Sequence, residues 1–154
     1  YLPAASQALE EARDTAQEPL PGTGRVLVMD DEAMVRDVAS AMLEHLGYQP
    51  TTVVDGAAAV ELYSREAEAG RPFDVVIMDL TIPGGMGGQD AVQWLLSMDP
   101  DARCIVSSGY SDDPVMSDYR AWGFRGVVRK PYRVNDLARA LQAVLAEPMG
   151  GEPR

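Results

Sequence analysis

One alternation runs through the chain: a short run of β-favouring apolar residues, then a longer stretch whose apolar residues recur with helical spacing. "RVLVM" (25–29) is the first such run. After it, Val35, Val38, Ala39, Met42, Leu43 and Leu46 form the stripe of an amphipathic helix, which Gly47 ends. "YQPTTVV" (48–54) is a weaker strand, and its Pro50 suits a sheet edge. Asp55-Gly56 opens an Ala-rich helix to about Ala69, and "FDVVIM" (73–78) is the third strand. A helix from near Gln89 to Met98, the strand "RCIVS" (103–107) and a helix opened by Asp113-Pro114 come next. "RGVVR" (125–129) is the last strand, and Val134, Leu137, Leu141, Val144 and Leu145 stripe the last helix. Strands that alternate with helices and are apolar on both faces predict a five-stranded parallel sheet covered on both sides, an α/β fold.

The 154 residues leave room for one domain with a core and some chain to spare. Residues 1–24 contain "SQALEEARDTAQEPLPGTG", acidic and rich in Ala, Pro and Gly, and read as a linker. Residues 147–154, "EPMGGEPR", read as a tail, which leaves 25–146 as the domain. The formal charge of −11 argues against nucleic-acid binding and mildly favours a cation site. No apolar run is long enough to span a membrane, so no membrane contact is expected of this domain. A single cysteine, Cys104, fits a reducing cytoplasm.

The residues just past the strands point to chemistry. The first strand ends in Asp30-Asp31, the third in Asp79, the fourth in Ser107-Ser108 and the fifth in Lys130. In open parallel α/β sheets ligands bind beyond the carboxyl ends of the strands, so these groups converge on one rim. Three clustered carboxylates repel one another unless a cation neutralises them. Hard oxygen ligands on a partly solvated rim suit Mg²⁺, while Lys130 and Ser107 suit a phosphoryl group. A carboxylate nucleophile beside Mg²⁺ and a lysine points to an aspartyl phosphate. Taken singly, Asp30-Asp31 also suits a cap for the helix from Glu32, Asp79 a turn, and Lys130-Pro131 a solvated lysine before a turn. Four such groups at strand ends select a site. His45 is expected as a solvated helix residue, Cys104 as a small core residue, and Trp94 and Trp122 as packing residues.

"VLVMDDE", "DVVIMDLTIPGGMGG", "IVSSGYS" and "VVRKPY" together resemble the receiver domain of two-component response regulators over about residues 24–146. The resemblance implies a flavodoxin-like doubly wound sheet of strand order 2-1-3-4-5. It makes Asp79 the phosphoacceptor and Asp30 and Asp31 the acidic pair that holds Mg²⁺. Thr81 would offer its main-chain carbonyl to the metal, Ser107 would hydrogen-bond the phosphoryl group, and Lys130 would pair with it. A cis Lys130–Pro131 bond is implied as well. The partner would be a histidine kinase or histidine phosphotransfer domain, with Met34, Val35 and Val38 as apolar docking contacts. A receiver catalyses only its own phosphorylation and dephosphorylation. "YLPA" at the start resembles the end of a histidine kinase's ATP-binding domain, which favours the C-terminal receiver of a hybrid sensor histidine kinase.

Two positions depart from the family's pattern. "PGGMGG" carries one Gly more than the commoner loop, and Val127 stands where an aromatic ring is usual. Val127 is too short to fill the room behind a moving Ser107. The response is therefore expected to rest on Ser107 and the backbone from Gly109 to Asp113. Changes on the face of the 114–121 helix, last strand and last helix are expected to be small. Other classes fit less well. A haloacid-dehalogenase-type phosphatase or phosphotransferase wants a second Asp where Thr81 stands, and "GGMGGQD" lacks the Lys-Ser/Thr of a P-loop. A receiver-like module that is never phosphorylated is disfavoured because every phosphorylation residue is present.

Overall fold

A computed structural model describes residues 24–109 and 113–147. The linker reading of 1–24 and the tail reading of 147–154 fall almost wholly outside these residues, as does the middle of the Gly109–Asp113 segment. The five strands are β1 (Arg25–Met29), β2 (Gln49–Val53), β3 (Val75–Asp79), β4 (Cys104–Ser108) and β5 (Gly126–Arg129). All pair in parallel, in the order β2-β1-β3-β4-β5. This is the expected doubly wound topology, with the proline-bearing β2 at an edge.

Alternate strand residues feed two apolar layers, as the strand pleat requires. Val26, Val28, Val75 and Ile77 pack with α1 (Ala33–His45) and α5 (Val134–Ala146) through Leu43, Leu137, Leu141 and Val144. Leu27, Met29, Val76 and Met78 pack on the other face with α2 (Gly56–Glu68) and α3 (Gly88–Met98) through Ala59, Tyr63, Val92 and Leu95. Among the described residues no helix is long and apolar enough to cross a membrane. Cys104 is buried in the core, where burial pushes its thiol up to about 12. His45 is exposed in the last turn of α1.

Three details differ from expectation. The helix opened by Asp113-Pro114 is one turn, α4 (Pro114–Ser117), where a helix to 121 is expected from the sequence. Asp113 caps it by accepting the Val115 N–H at 3.0 Å, but Asp118 leaves helical geometry and a short 3₁₀ turn (Tyr119–Trp122) comes after it. Trp94 is 56% exposed, because the buried stripe of α3 runs through Gly88, Ala91, Val92 and Leu95 and leaves it outside. Val38, on the expected stripe of α1, is 44% exposed, while the exposure of Met34 (79%) and the half-buried Val35 agree with their reading as surface contacts.

Two of the glycines after Asp79 have a steric reason. A Cβ on Gly87 would lie 2.4 Å from the Leu80 carbonyl oxygen, and one on Gly88 would lie 2.9 Å from that of Asp79. The loop thus folds back tightly on the end of β3. Gly87→Ala should lower stability in urea by about 1–3 kcal/mol, the usual range for overpacking, with little change in the m-value. An unchanged midpoint would show that the loop yields freely.

Candidate functional site at the strand ends

The sheet register delivers the acids side by side. Met29 of β1 stands beside Met78 of β3, so the next residues, Asp30 and Asp79, emerge together. Asp79 is itself in register with Ser107 of β4. Main-chain bonds carry the pairing to the rim. The Asp30 N–H donates to Val53 O at 3.1 Å, Leu80 N–H to Ser107 O at 2.9 Å and Lys130 N–H to Ser108 O at 3.0 Å.

Asp30 is fully buried and uses both carboxylate oxygens. One accepts the Glu32 N–H at 2.9 Å, a local turn at the start of α1, and the other accepts from Lys130 Nζ at 3.1 Å. Asp30 thus braces the entry to α1 without capping it, since the N-cap is Glu32 and makes no side-chain cap bond. The Arg36 guanidinium donates to the Asp30 carbonyl at 2.9 Å and ties α1 to the same corner. Asp79 is buried, with its Oδ2 at 3.3 Å from Lys130 Nζ. Asp31 is exposed at the rim. Oxygens of Asp30, Asp31 and Asp79 all lie within 4.8 Å of one another. Thr81 lies in the loop leaving β3, two residues past Asp79, and is exposed. The Lys130–Pro131 bond is cis.

Three carboxylates against one ammonium leave an excess of two negative charges, and two of the three carboxylates are buried. The donor set therefore fits a small divalent cation with hard oxygen ligands. The strain is visible in Asp79, whose pKa rises from 3.8 to about 6. Burial is the main cause; Lys130 opposes it, and the charges of Asp30 and Asp31 add to it. Burial also works against the charge on Lys130, yet Asp30 and Asp79 together hold its ammonium above the ordinary lysine value.

Ser107 is fully buried, and its hydroxyl lies 2.8 Å from the Tyr132 phenol oxygen. Tyr132 has no role in the reading of the sequence. The available signal is its position two residues past Lys130, on the same rim segment. Burial pushes its phenol well above the ordinary tyrosine range. Met34, Val35 and Val38 line an apolar groove of about 180 Å³ with Lys130, Pro131 and Tyr132. Its far wall thus includes the lysine that pairs with Asp30 and Asp79.

The raised Asp79 pKa has a measurable sign. The folded state binds the Asp79 proton more tightly than the unfolded chain does. In metal-free buffer stability should therefore be greatest below about pH 4 as far as this group is concerned, and fall as pH rises through about 6. Asp79→Asn should flatten that fall and stabilise the metal-free protein at pH 7, on the order of 1–3 kcal/mol. Mg²⁺ should then raise the melting temperature of the wild type more than that of the variant. An equally steep decline in Asp79→Asn would place the titration elsewhere.

Comparison with known proteins agrees with this geometry. The family model described as the response regulator receiver domain matches residues 26–142. A chemotaxis protein CheY from Thermotoga maritima is 31% identical over 121 residues, covering 78% of this chain and 96% of that protein. Sensor kinase CckA from Brucella abortus is 30% identical over 138 residues, which is 90% of this chain but only 14% of the kinase. Among solved structures, a LuxR-family two-component response regulator from Aurantimonas superposes with a TM-score of 0.71 at 28% identity, over 81% of this chain and 86% of that one. The receiver domain of a Pseudomonas aeruginosa sensor histidine kinase, solved with a magnesium ion coordinated in its active-site cleft, gives 0.70 at 23% identity, over 82% and 100% of the two chains. The chain belongs to the response regulator receiver domain family of two-component signalling.

Proposed function

We propose that this domain accepts a phosphoryl group from a phosphohistidine onto Asp79, with Mg²⁺ held by Asp30, Asp31, Asp79 and the Thr81 carbonyl. The observation that carries the reading is the Lys130 ammonium set between Asp30 and Asp79 inside a three-carboxylate cluster. A carboxylate oxygen of Asp79 attacks phosphorus, the histidine N–P bond breaks as the O–P bond forms, and the imidazole leaves with the bonding electron pair. Bound Mg²⁺ supplies charge neutralisation for the approaching phosphoryl oxygens. Lys130, anchored by Asp30, keeps an ammonium beside the oxygens that gain charge. Ser107, one strand over, offers a hydrogen bond to one of them. Gly87 and Gly88, at the start of α3, let the chain lie close against the main chain of Asp79 and Leu80.

The test is intact mass after incubation with acetyl phosphate. One phosphoryl group should add in the presence of Mg²⁺, none in EDTA, and none to Asp79→Asn. Labelling of Asp79→Asn to the wild-type extent would assign the acceptor to another residue.

The phosphodonor surface in this reading is the groove of Met34, Val35, Val38 and Pro131, because it adjoins Lys130 and exposes apolar side chains there. A helical domain carrying a phosphohistidine fits it. Met34→Asp should slow transfer from a phosphorylated histidine phosphotransfer domain about tenfold, roughly 1.4 kcal/mol, yet leave acetyl phosphate labelling within about twofold. Equal slowing of both would mean that Met34 supports the site rather than the docking.

We also read residues 1–24 as a linker, 25–146 as the receiver unit and 147–154 as a tail, in a chain whose parent is a hybrid sensor histidine kinase. The match to the sensor kinase supports this, since it covers 90% of the chain, against 78% for the chemotaxis protein.

A further inference from the structure

Ser107 is the group through which a change at Asp79 can leave the rim. Its hydroxyl bonds the Tyr132 phenol, and Tyr132 is almost fully buried in the layer formed by α1 and α5. The ring is also a wall of the groove that contains Met34 and Val38. Val127, by contrast, packs into the opposite layer, beneath α4 and the 3₁₀ turn. We propose that Tyr132 is a positioning residue that couples the phosphorylation state of Asp79, through Ser107, to the shape of the Met34–Val38 groove. The proposal rests on the phosphoacceptor reading of Asp79.

The chemistry comes from proton counting. A serine hydroxyl has one proton to donate and can accept from another group at the same time. Either oxygen of the Ser107–Tyr132 pair can be the donor in the unphosphorylated state. A phosphoryl group on Asp79 brings about −1.5 to −2 charges and strong acceptors to a position in register with Ser107. A hydrogen bond to such a charged oxygen outcompetes one to a neutral phenol, so the Ser107 proton goes to the phosphoryl group. Tyr132 must then become the donor, with Ser107 Oγ as acceptor. As Ser107 shifts toward the phosphoryl oxygens, the buried phenol moves with it, because it has no other hydrogen-bond partner among the described residues and desolvation disfavours leaving it unpaired. Movement of the ring changes the groove wall against which Met34 and Val38 lie. The surface that receives the donor thus senses whether transfer has already occurred.

The test uses the whole chain, with Mg²⁺ and beryllofluoride as the phosphoryl mimic. Fluorine NMR reads occupancy of the site, and ¹³C-methyl NMR reads Met34 and Val38. Binding should shift both methyl signals in the wild type. Tyr132→Phe keeps the ring and removes only the hydroxyl, so it should retain the bound fluorine signal while the methyl shifts fall to less than half. Methyl shifts that stay above half of the wild-type values in a fully occupied Tyr132→Phe would overturn the coupling, as would a wild type whose methyls stay still on binding. Either result leaves the phosphoacceptor reading standing. Absence of a bound fluorine signal in the wild type would remove that reading, and the coupling with it.

Discussion

The ammonium of Lys130, 3.1 Å from Asp30 and 3.3 Å from Asp79, is the contact on which the rim depends. In the sheet β5 is separated from β3 by β4 and from β1 by both, so Lys130 reaches across its neighbour to tie three strand ends together. Without it, two buried carboxylates and one exposed one would face each other with no compensating charge. Removing one partner of such a pair typically costs about 3–5 kcal/mol, since the charge left behind stays buried. The remaining excess of negative charge is the physical reason why this donor set fits a divalent cation. Burial, with the charges of Asp30 and Asp31 adding to it and Lys130 opposing it, is why Asp79 holds its proton to higher pH than an ordinary aspartate.

Much of this was legible in the sequence because strand ends and acids coincide there. Apolar runs on both faces gave a parallel sheet, and Pro50 placed the second strand at an edge; both stem from backbone hydrogen bonding. Boundaries moved where ladders outlast hydrophobicity. The apolar run of β3 stops at Met78, yet Asp79 still pairs in register with Ser107 and belongs to the strand. The length of α4 was not legible. Asp113-Pro114 marks a helix start, but its end depends on Asp118 leaving helical geometry and on Gly123, with φ of 104°, turning the chain into β5.

Side-chain exposure was harder to read than element type. Val38 falls on the helical stripe of α1, but only Ala39 and Leu43 are fully buried, with Val35, Met42 and Leu46 partly so. Val38 lies on the flank of that stripe with Met34, where Pro131 and Tyr132 from the far end of the chain meet it. Helical periodicity cannot report a neighbour about a hundred residues away in sequence. The same limit hid Tyr132. Its hydroxyl matters because of Ser107, twenty-five residues earlier, and a strand-end serine carries almost no signal by itself.

The two faces of the sheet differ in what they can transmit from the rim. On one face α4 is a single four-residue turn with a 3₁₀ turn after it, and the β-branched Val127 is only partly buried against it. So short a helix has little stiffness of its own, since most of its residues serve its ends. On the other face α1 and α5 are thirteen residues each and close a continuous apolar layer with β1, β3, β4 and β5. Tyr132 sits in that layer with its hydroxyl at the rim and its ring against α1. Close-packed interiors pass displacement between neighbours because they have few voids in which to absorb it. A displacement at Ser107 therefore meets a soft segment on the Val127 side and a rigid one on the Tyr132 side, and the mechanical path from the acids leads toward α1.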